Sequence, residues 1–128
     1  MKALFFLGRM VFGGFFLYNA IHHFKETKGL AAYAGYKGVP NPDQAVLISG
    51  ALLAVGATSV LLGVKPKIGT LALVSFLAAV SPAVHDFWNI PEQGEHMNQM
   101  INFSKNMALL GAALLLMGVP EPWPASLG

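Results

Sequence analysis

Four apolar runs, each about long enough to cross a bilayer, take up most of the 128 residues. They are Leu4–Phe24, Ala45–Val64, Ile68–His85 and Ile101–Val119. At about 1.5 Å rise per residue, roughly 20 residues span the ~30 Å hydrocarbon layer. A water-soluble domain this small has no interior able to absorb four such helices. The chain therefore reads as a single transmembrane domain, 1–128. Its fold class is all-α, an integral membrane four-helix bundle of antiparallel spans.

Composition agrees with lipid as the solvent. Apolar residues make up 55% and charged residues 11%, against about 25% charged in soluble domains. The net charge of +2 is small and evenly spread, which excludes a nucleic-acid footprint. The sequence has no cysteine, so disulfides, dithiol relays, Cys-ligated zinc and iron–sulfur clusters are excluded. A redox role would need a bound cofactor. Met1-Lys2 followed by Ala3-Leu4-Phe5-Phe6-Leu7 begins like a signal peptide, but Arg9 interrupts the run and no small-x-small site precedes His22-His23. The segment reads as a retained first span.

The connections carry their own signals. In Lys25–Gln44, Leu30, Tyr33 and Tyr36 recur at helical spacing between Lys28 and Lys37. This predicts a short interfacial helix ended by Gly38 and Pro40, with its tyrosines at head-group level. Gly63-Val64-Lys65-Pro66-Lys67 forces a tight hairpin, whereas Asp86–Met100 is longer. The tail Pro120-Glu121-Pro122-Trp123-Pro124 cannot continue a helix, and Trp123 is expected to mark the interface. Small residues should carry the helix contacts, since lipid removes the hydrophobic drive between spans. Gly13-Gly14, Gly50, Ala54, Thr58, Ala108 and Ala112 are the candidates, for packing within one bundle or for a dimer seam.

Four spans put both termini on one face. Lys2, Arg9, Lys65 and Lys67 belong to that face, and Lys25, Lys28, Lys37 and Lys105 to the other, so basic residues are balanced. The basic pair in the shortest loop, and the location of Glu26, Asp43, Asp86, Glu92 and Glu95 opposite, favour cytoplasmic termini.

Polar groups inside spans are expensive and face bundle interiors. Here they gather at one face: Asn19, His22 and His23 end the first span, Ser81, His85 and Asp86 end the third, and Asn102, Lys105 and Asn106 start the fourth. Spacings of three and four put each set on one stripe of its helix. Pro82 lacks the N–H that would bond to the Ala78 carbonyl, so a kink is expected just before His85. The reading is a ligand pocket built from Asn19, His23, His85, Asp86, Asn102, Lys105 and Asn106. It should open toward the non-terminal face and be roofed by Phe87, Trp88 and Phe103. Two alternatives stand beside it: helix ends capped in wet head groups, which suits His22, His96 and Asn98, and a structural Asp86–Lys105 ion pair joining spans three and four. Arg9 is expected to snorkel to the termini face, or else to face inward on carbonyls or an anionic ligand. No metal site is expected, and a haem would need more room than a narrow bundle offers. A quinone suits the place better, with its ring in an apolar pocket, its carbonyls on His, Asp, Asn or Lys, and His23 or His85 passing protons.

The order Gly8-Arg9, Phe15-Phe16-Leu17, His22-His23-Phe24, Ala32-Tyr33 and Lys37-Gly38-Val39-Pro40 resembles the DoxX family. Ser49-Gly50, Gly56, Leu62-Gly63, His85-Asp86-Phe87-Trp88, Asn102-Phe103-x-Lys105-Asn106 and Leu109-Leu110-Gly111 continue the resemblance to about Gly118. It implies a compact four-helix bundle in a bacterial inner (cytoplasmic) membrane, and an association with redox complexes. One branch is similar to a small subunit of thiosulfate:quinone oxidoreductase, and another is linked to oxidative-stress complexes. Eukaryotic relatives act as assembly chaperones or cargo receptors, so fold alone does not determine function. Two departures matter. Many members carry a Glu where Ala51-Leu52-Leu53-Ala54 stand, and a Lys where His22-His23 stand. A Glu–Lys or Glu–Arg relay therefore does not transfer, and Arg9 loses that carboxylate.

The expected function is a membrane subunit or anchor of a redox-associated complex with a quinone-type ligand. Membrane lipid and a protein partner, or further copies of the chain, would surround it. Nucleophile triads, phosphate loops and dinucleotide fingerprints are lacking, so a partner must supply any second redox centre and no catalytic residue is named. The alternative is a non-enzymatic scaffold or assembly factor whose polar cluster is structural. Solute transport is weaker, because four helices leave little room for alternating access.

Overall fold

A computed structural model describes residues 2–127. Within them the chain is all-helical: α1 is Lys2–Lys25, α2 Thr27–Tyr36, α3 Pro42–Leu62, α4 Pro66–Val84 and α5 Gln93–Met117, with one 3-10 turn at Phe87–Asn89. Four of these helices are long and apolar enough to cross a membrane. The short α2 lies where the sequence predicts an interfacial helix.

Boundaries differ from the apolar runs for identifiable reasons. Pro42 and Pro66 occupy the first helical turn, where a missing N–H costs nothing, so α3 and α4 begin ahead of their apolar stretches. α5 begins at Gln93 rather than Ile101. Its first two turns, Gln93–Met100, are too polar to register as membrane-spanning, but Gln93, Glu95, Met97, Gln99 and Met100 favour a helix. α4 runs through Pro82 and ends at Val84, with the His85 N–H returning to the Ser81 carbonyl at 3.0 Å.

Packing follows a row. α1 packs on α3, α3 on α4 and α4 on α5, while α2 lies on α3; α1 and α5 do not pack along their lengths. The core is Phe16, Ala20, Leu53, Ala57, Val60, Leu73 and Leu77, closed by Trp123. Glycines set the closest approach. A Cβ on Gly56 would stand 2.7 Å from Leu73 Cγ and 2.8 Å from the Gly69 carbonyl, and one on Gly13 2.8 Å from Leu61. Gly50 faces the His23 Cβ and the Phe24 ring. The expected stripe is only partly used, since Thr58 and Ala108 are exposed and Gly14 touches nothing.

The termini face corrects two expectations. Trp123 does not mark the interface; it is 2% exposed, edge-on to Phe5 with ring centroids 5.3 Å apart. Arg9 does not snorkel outward. It is 1% exposed and donates to the carbonyls of Pro124 at 2.5 Å, Leu61 at 3.0 Å and Ala125 at 3.0 Å. Its guanidinium also stands over the Phe6 and Trp123 rings, at 5.3 and 5.6 Å. The tail, unable to be helical at Pro120, Pro122 and Pro124, has free carbonyls to offer. Further bonds pin it, from the Lys67 N–H to Glu121 Oε1 at 3.1 Å and from the Leu127 N–H to the Leu62 carbonyl at 2.9 Å. It runs from the end of α5 to α1 across the α3–α4 hairpin.

Gly56→Ala should lower stability by about 1–3 kcal/mol, because the new methyl meets backbone as well as a side chain. Gly14→Ala should leave it unchanged. Thermal unfolding of the two variants in one detergent checks this; equal losses would contradict the packing described.

Candidate functional site

At the opposite end the gap between α1 and α5 stays open as a cavity of about 400 Å³. α3 and α4 form its back wall through Val46, Ser49, Phe76, Leu77 and Val80, and α2 covers it with Leu30, Tyr33 and Ala34. Phe15 and Phe16 on α1 and Leu109 on α5 flank its deeper part. Most of the lining is apolar, and the polar groups are few.

Five of the seven predicted residues line this cavity: Asn19, His23, His85, Lys105 and Asn106. Asp86 and Asn102 are not among its walls. The Asp86–Lys105 pair does not form either. Asp86 binds the Lys37 ammonium, with side chains 17% and 10% exposed, and accepts from Asn89 Nδ2 at 3.1 Å. Lys37 follows α2 directly, so the pair ties the cover of the cavity to the end of α4. A six-residue separation along α5 takes Lys105 roughly 9 Å away from the level of Gln99, where α4 ends. The roof differs as well. Phe87, Trp88 and Phe103 cluster with one another, and Phe87 with His96, at centroid distances of 5.2 to 5.6 Å. This group braces the connection to α5 and leaves the roof to α2. α1 and α5 do not pack on one another, so the cavity has an unpacked side at the α1–α5 seam.

Both histidines are held by one nitrogen. His23 Nδ1 lies 2.9 Å from the Asn19 carbonyl, which can only accept, so Nδ1 carries the proton in the neutral ring. His85 Nδ1 lies 2.6 Å from Gln99 Oε1. The orientation of that amide follows from its other end, since Gln99 Nε2 donates to Glu95 Oε1 at 2.7 Å. In each neutral imidazole the unprotonated nitrogen is therefore Nε2. His23 packs edge-on to Phe76 at 5.8 Å. Burial pushes the Tyr33 phenol upward, so it remains a neutral O–H donor. Asn19 spends its amide N–H on the Phe15 carbonyl at 2.8 Å, and Ser49 its hydroxyl on Val46 at 3.0 Å. No three His, Asp or Glu side chains converge to hold a metal among the described residues.

Tyr33, which lines the cavity, and Gln99, which holds His85, are not among the residues the sequence marks for the pocket. Gln99 carried a readable signal, lying four residues after Glu95 and seven before Asn106 on one helical face. Tyr33 carried none beyond its interfacial helix, since which way α2 folds back is a tertiary matter.

Comparison with known proteins gives one family. The family model described as DoxX matches residues 4–86. No curated protein and no solved structure matches.

The Lys37–Asp86 pair yields a sign-specific expectation. Hydrogen bonding to Asp86 raises the Lys37 ammonium above the ordinary lysine range. Its stabilisation is thus complete below the ordinary lysine value and lost as pH rises through the raised one. Lys37→Met and Asp86→Asn should each loosen the end of α2, at a cost of about 0.2–1 kcal/mol. The charge exchange Lys37→Asp with Asp86→Lys should recover much of the loss, as read by hydrogen exchange over residues 30–38.

Proposed function

The chain belongs to the DoxX family of multi-pass membrane proteins, and we propose that it holds a quinone-type ligand in the cavity between α1 and α5 as the membrane subunit of a redox-associated complex. The observation that carries this reading is the pairing of an apolar cavity of about 400 Å³ with two histidines, each tethered through Nδ1. Such a site suits a flat, largely apolar ring with oxygen at its edge.

A quinone supplies reversible two-electron, two-proton chemistry between carbonyl and hydroxyl forms. The chain's part is to orient the ring and handle protons. Nε2 of His23 and of His85 can accept a proton, and the Asn19 carbonyl and the Glu95–Gln99 relay keep those rings from turning. Tyr33, Asn106 and Lys105 offer donors to carbonyl oxygen. Phe15, Phe16 and Phe76 exclude water from the ring face. The chain has no cysteine, so electrons would enter or leave through a partner subunit. Residence in a bacterial inner membrane with cytoplasmic termini belongs to the same proposal.

A scaffold or assembly role is the second reading. It is favoured by the polar contacts that serve structure alone, namely Lys37–Asp86 and Arg9 on the tail.

Purification in mild detergent, followed by organic extraction and mass spectrometry, separates the two. Near-stoichiometric quinone in the wild type, lost in His85→Ala while helicity and yield persist, is the expected result. A folded wild-type protein free of quinone would sink this reading and leave the scaffold role, with pull-down as the next step. Gln99→Leu, which frees His85 to rotate, should weaken quinone retention by about tenfold.

A further inference from the structure

Lys105 stands midway along α5. Gln99 is level with His85 through their hydrogen bond, and Lys105 lies six residues further on, roughly 9 Å deeper into the bundle. A lysine at such depth in hydrocarbon either snorkels to an interface or has a partner. Within the chain this one is exposed and has an aromatic face, but no carboxylate, as its partner. Its ammonium stays at the seam, 5.8 Å from the centroid of the Phe15 ring on α1. Among the described residues the one ion pair is Lys37–Asp86, so no carboxylate answers Lys105.

The neighbouring residue supplies a second, independent observation. Asn106 is 7% exposed, lines the same cavity, and makes no side-chain hydrogen bond among the described residues. The buried side-chain atoms left without a hydrogen-bond partner are Arg9 Nε and Asp86 Oδ1 among the described residues, so the Asn106 amide keeps access to the cavity space. The cavity also has no Asp or Glu in its walls; its ionisable lining is Lys105, His23, His85 and Tyr33. A cation and an unpaired amide therefore sit side by side at the gap between α1 and α5, with nothing of opposite charge opposed to them.

We infer that the cavity takes its ligand sideways from the bilayer, between α1 and α5, and holds it through an anionic oxygen on Lys105 and Asn106. The ligand class is an amphiphile with an ionised hydroxyl or a carboxylate on an apolar skeleton. Asn106 donates an N–H to the same oxygen or its neighbour, and the ligand's apolar body lies against Phe15, Phe76 and Leu109. The choice of a quinone skeleton rests on the function proposed above; the requirement for an anion does not.

Binding of two naphthoquinones to the full chain in phosphatidylcholine nanodiscs tests both. The first, 2-hydroxy-3-undecyl-1,4-naphthoquinone, is an anion at neutral pH, and its 2-methoxy ether is neutral with nearly the same shape. The wild type should bind the anion about tenfold more tightly than the ether. Lys105→Gln, better suited to lipid than lysine and so expected to fold, should abolish that preference, while Lys105→Arg should keep most of it. Equal affinity for the two compounds in the wild type would overturn the anionic site and leave the quinone reading intact. Lys105-dependent binding of oleate, with neither naphthoquinone bound, would support the anionic site and overturn the quinone reading. Binding of none of the three would overturn both.

Discussion

The arrangement depends on one buried cation. Arg9 has no carboxylate partner; its two terminal nitrogens donate to the carbonyls of Leu61, Pro124 and Ala125 and its guanidinium stands against two aromatic faces. In lipid an unsatisfied guanidinium is far costlier than in water, so this cage draws the tail under the bundle and seats Trp123 against Phe5. The tail thereby ties the end of α5 to α1 at the termini face. At the other end the two helices stay apart, and the space between them is the cavity.

That division explains why polar residues concentrate where they do. At the termini face, polarity is consumed by structure except for Arg9 Nε, which is buried without a partner. At the open end it separates into two groups. Asp86, Lys37 and Asn89 hold the cover to the end of α4, and Glu95 and Gln99 orient His85. His23, Lys105 and Asn106 face the cavity with capacity left over. A purely structural cluster would satisfy itself internally, as the Arg9 cage nearly does; the unspent groups are what the proposed site rests on.

Of the four spans, α5 contributes least to the interior, with only Gln99, Asn106 and Ala113 buried. Each lies seven residues from the next, so a single narrow stripe meets α4 and the remaining circumference faces outward. In a membrane that surface is covered by lipid or by another protein, and it adjoins the seam where α1 and α5 stay apart. A helix held along one stripe, braced at its start by Phe87, Trp88 and Phe103, leaves room beside α1.

Hydropathy alone determined the four spans, their antiparallel order and the interfacial helix, because about 20 apolar residues in succession have one stable solution in lipid. Period-four spacing also marked His23, His85 and Asn106 as facing inward on their own helices. Which groups meet across helices was decided by tertiary structure. Asp86 met Lys37 and not Lys105, because α2 folded back over the bundle and brought Lys37 to the end of α4. Arg9 turned inward because a proline-rich tail, unable to be helical, offered it carbonyls. The roof came from α2 because the aromatic trio was already packed on itself. Local sequence sets a side chain's face on its helix, whereas its partner depends on where connections of low hydropathy come to rest.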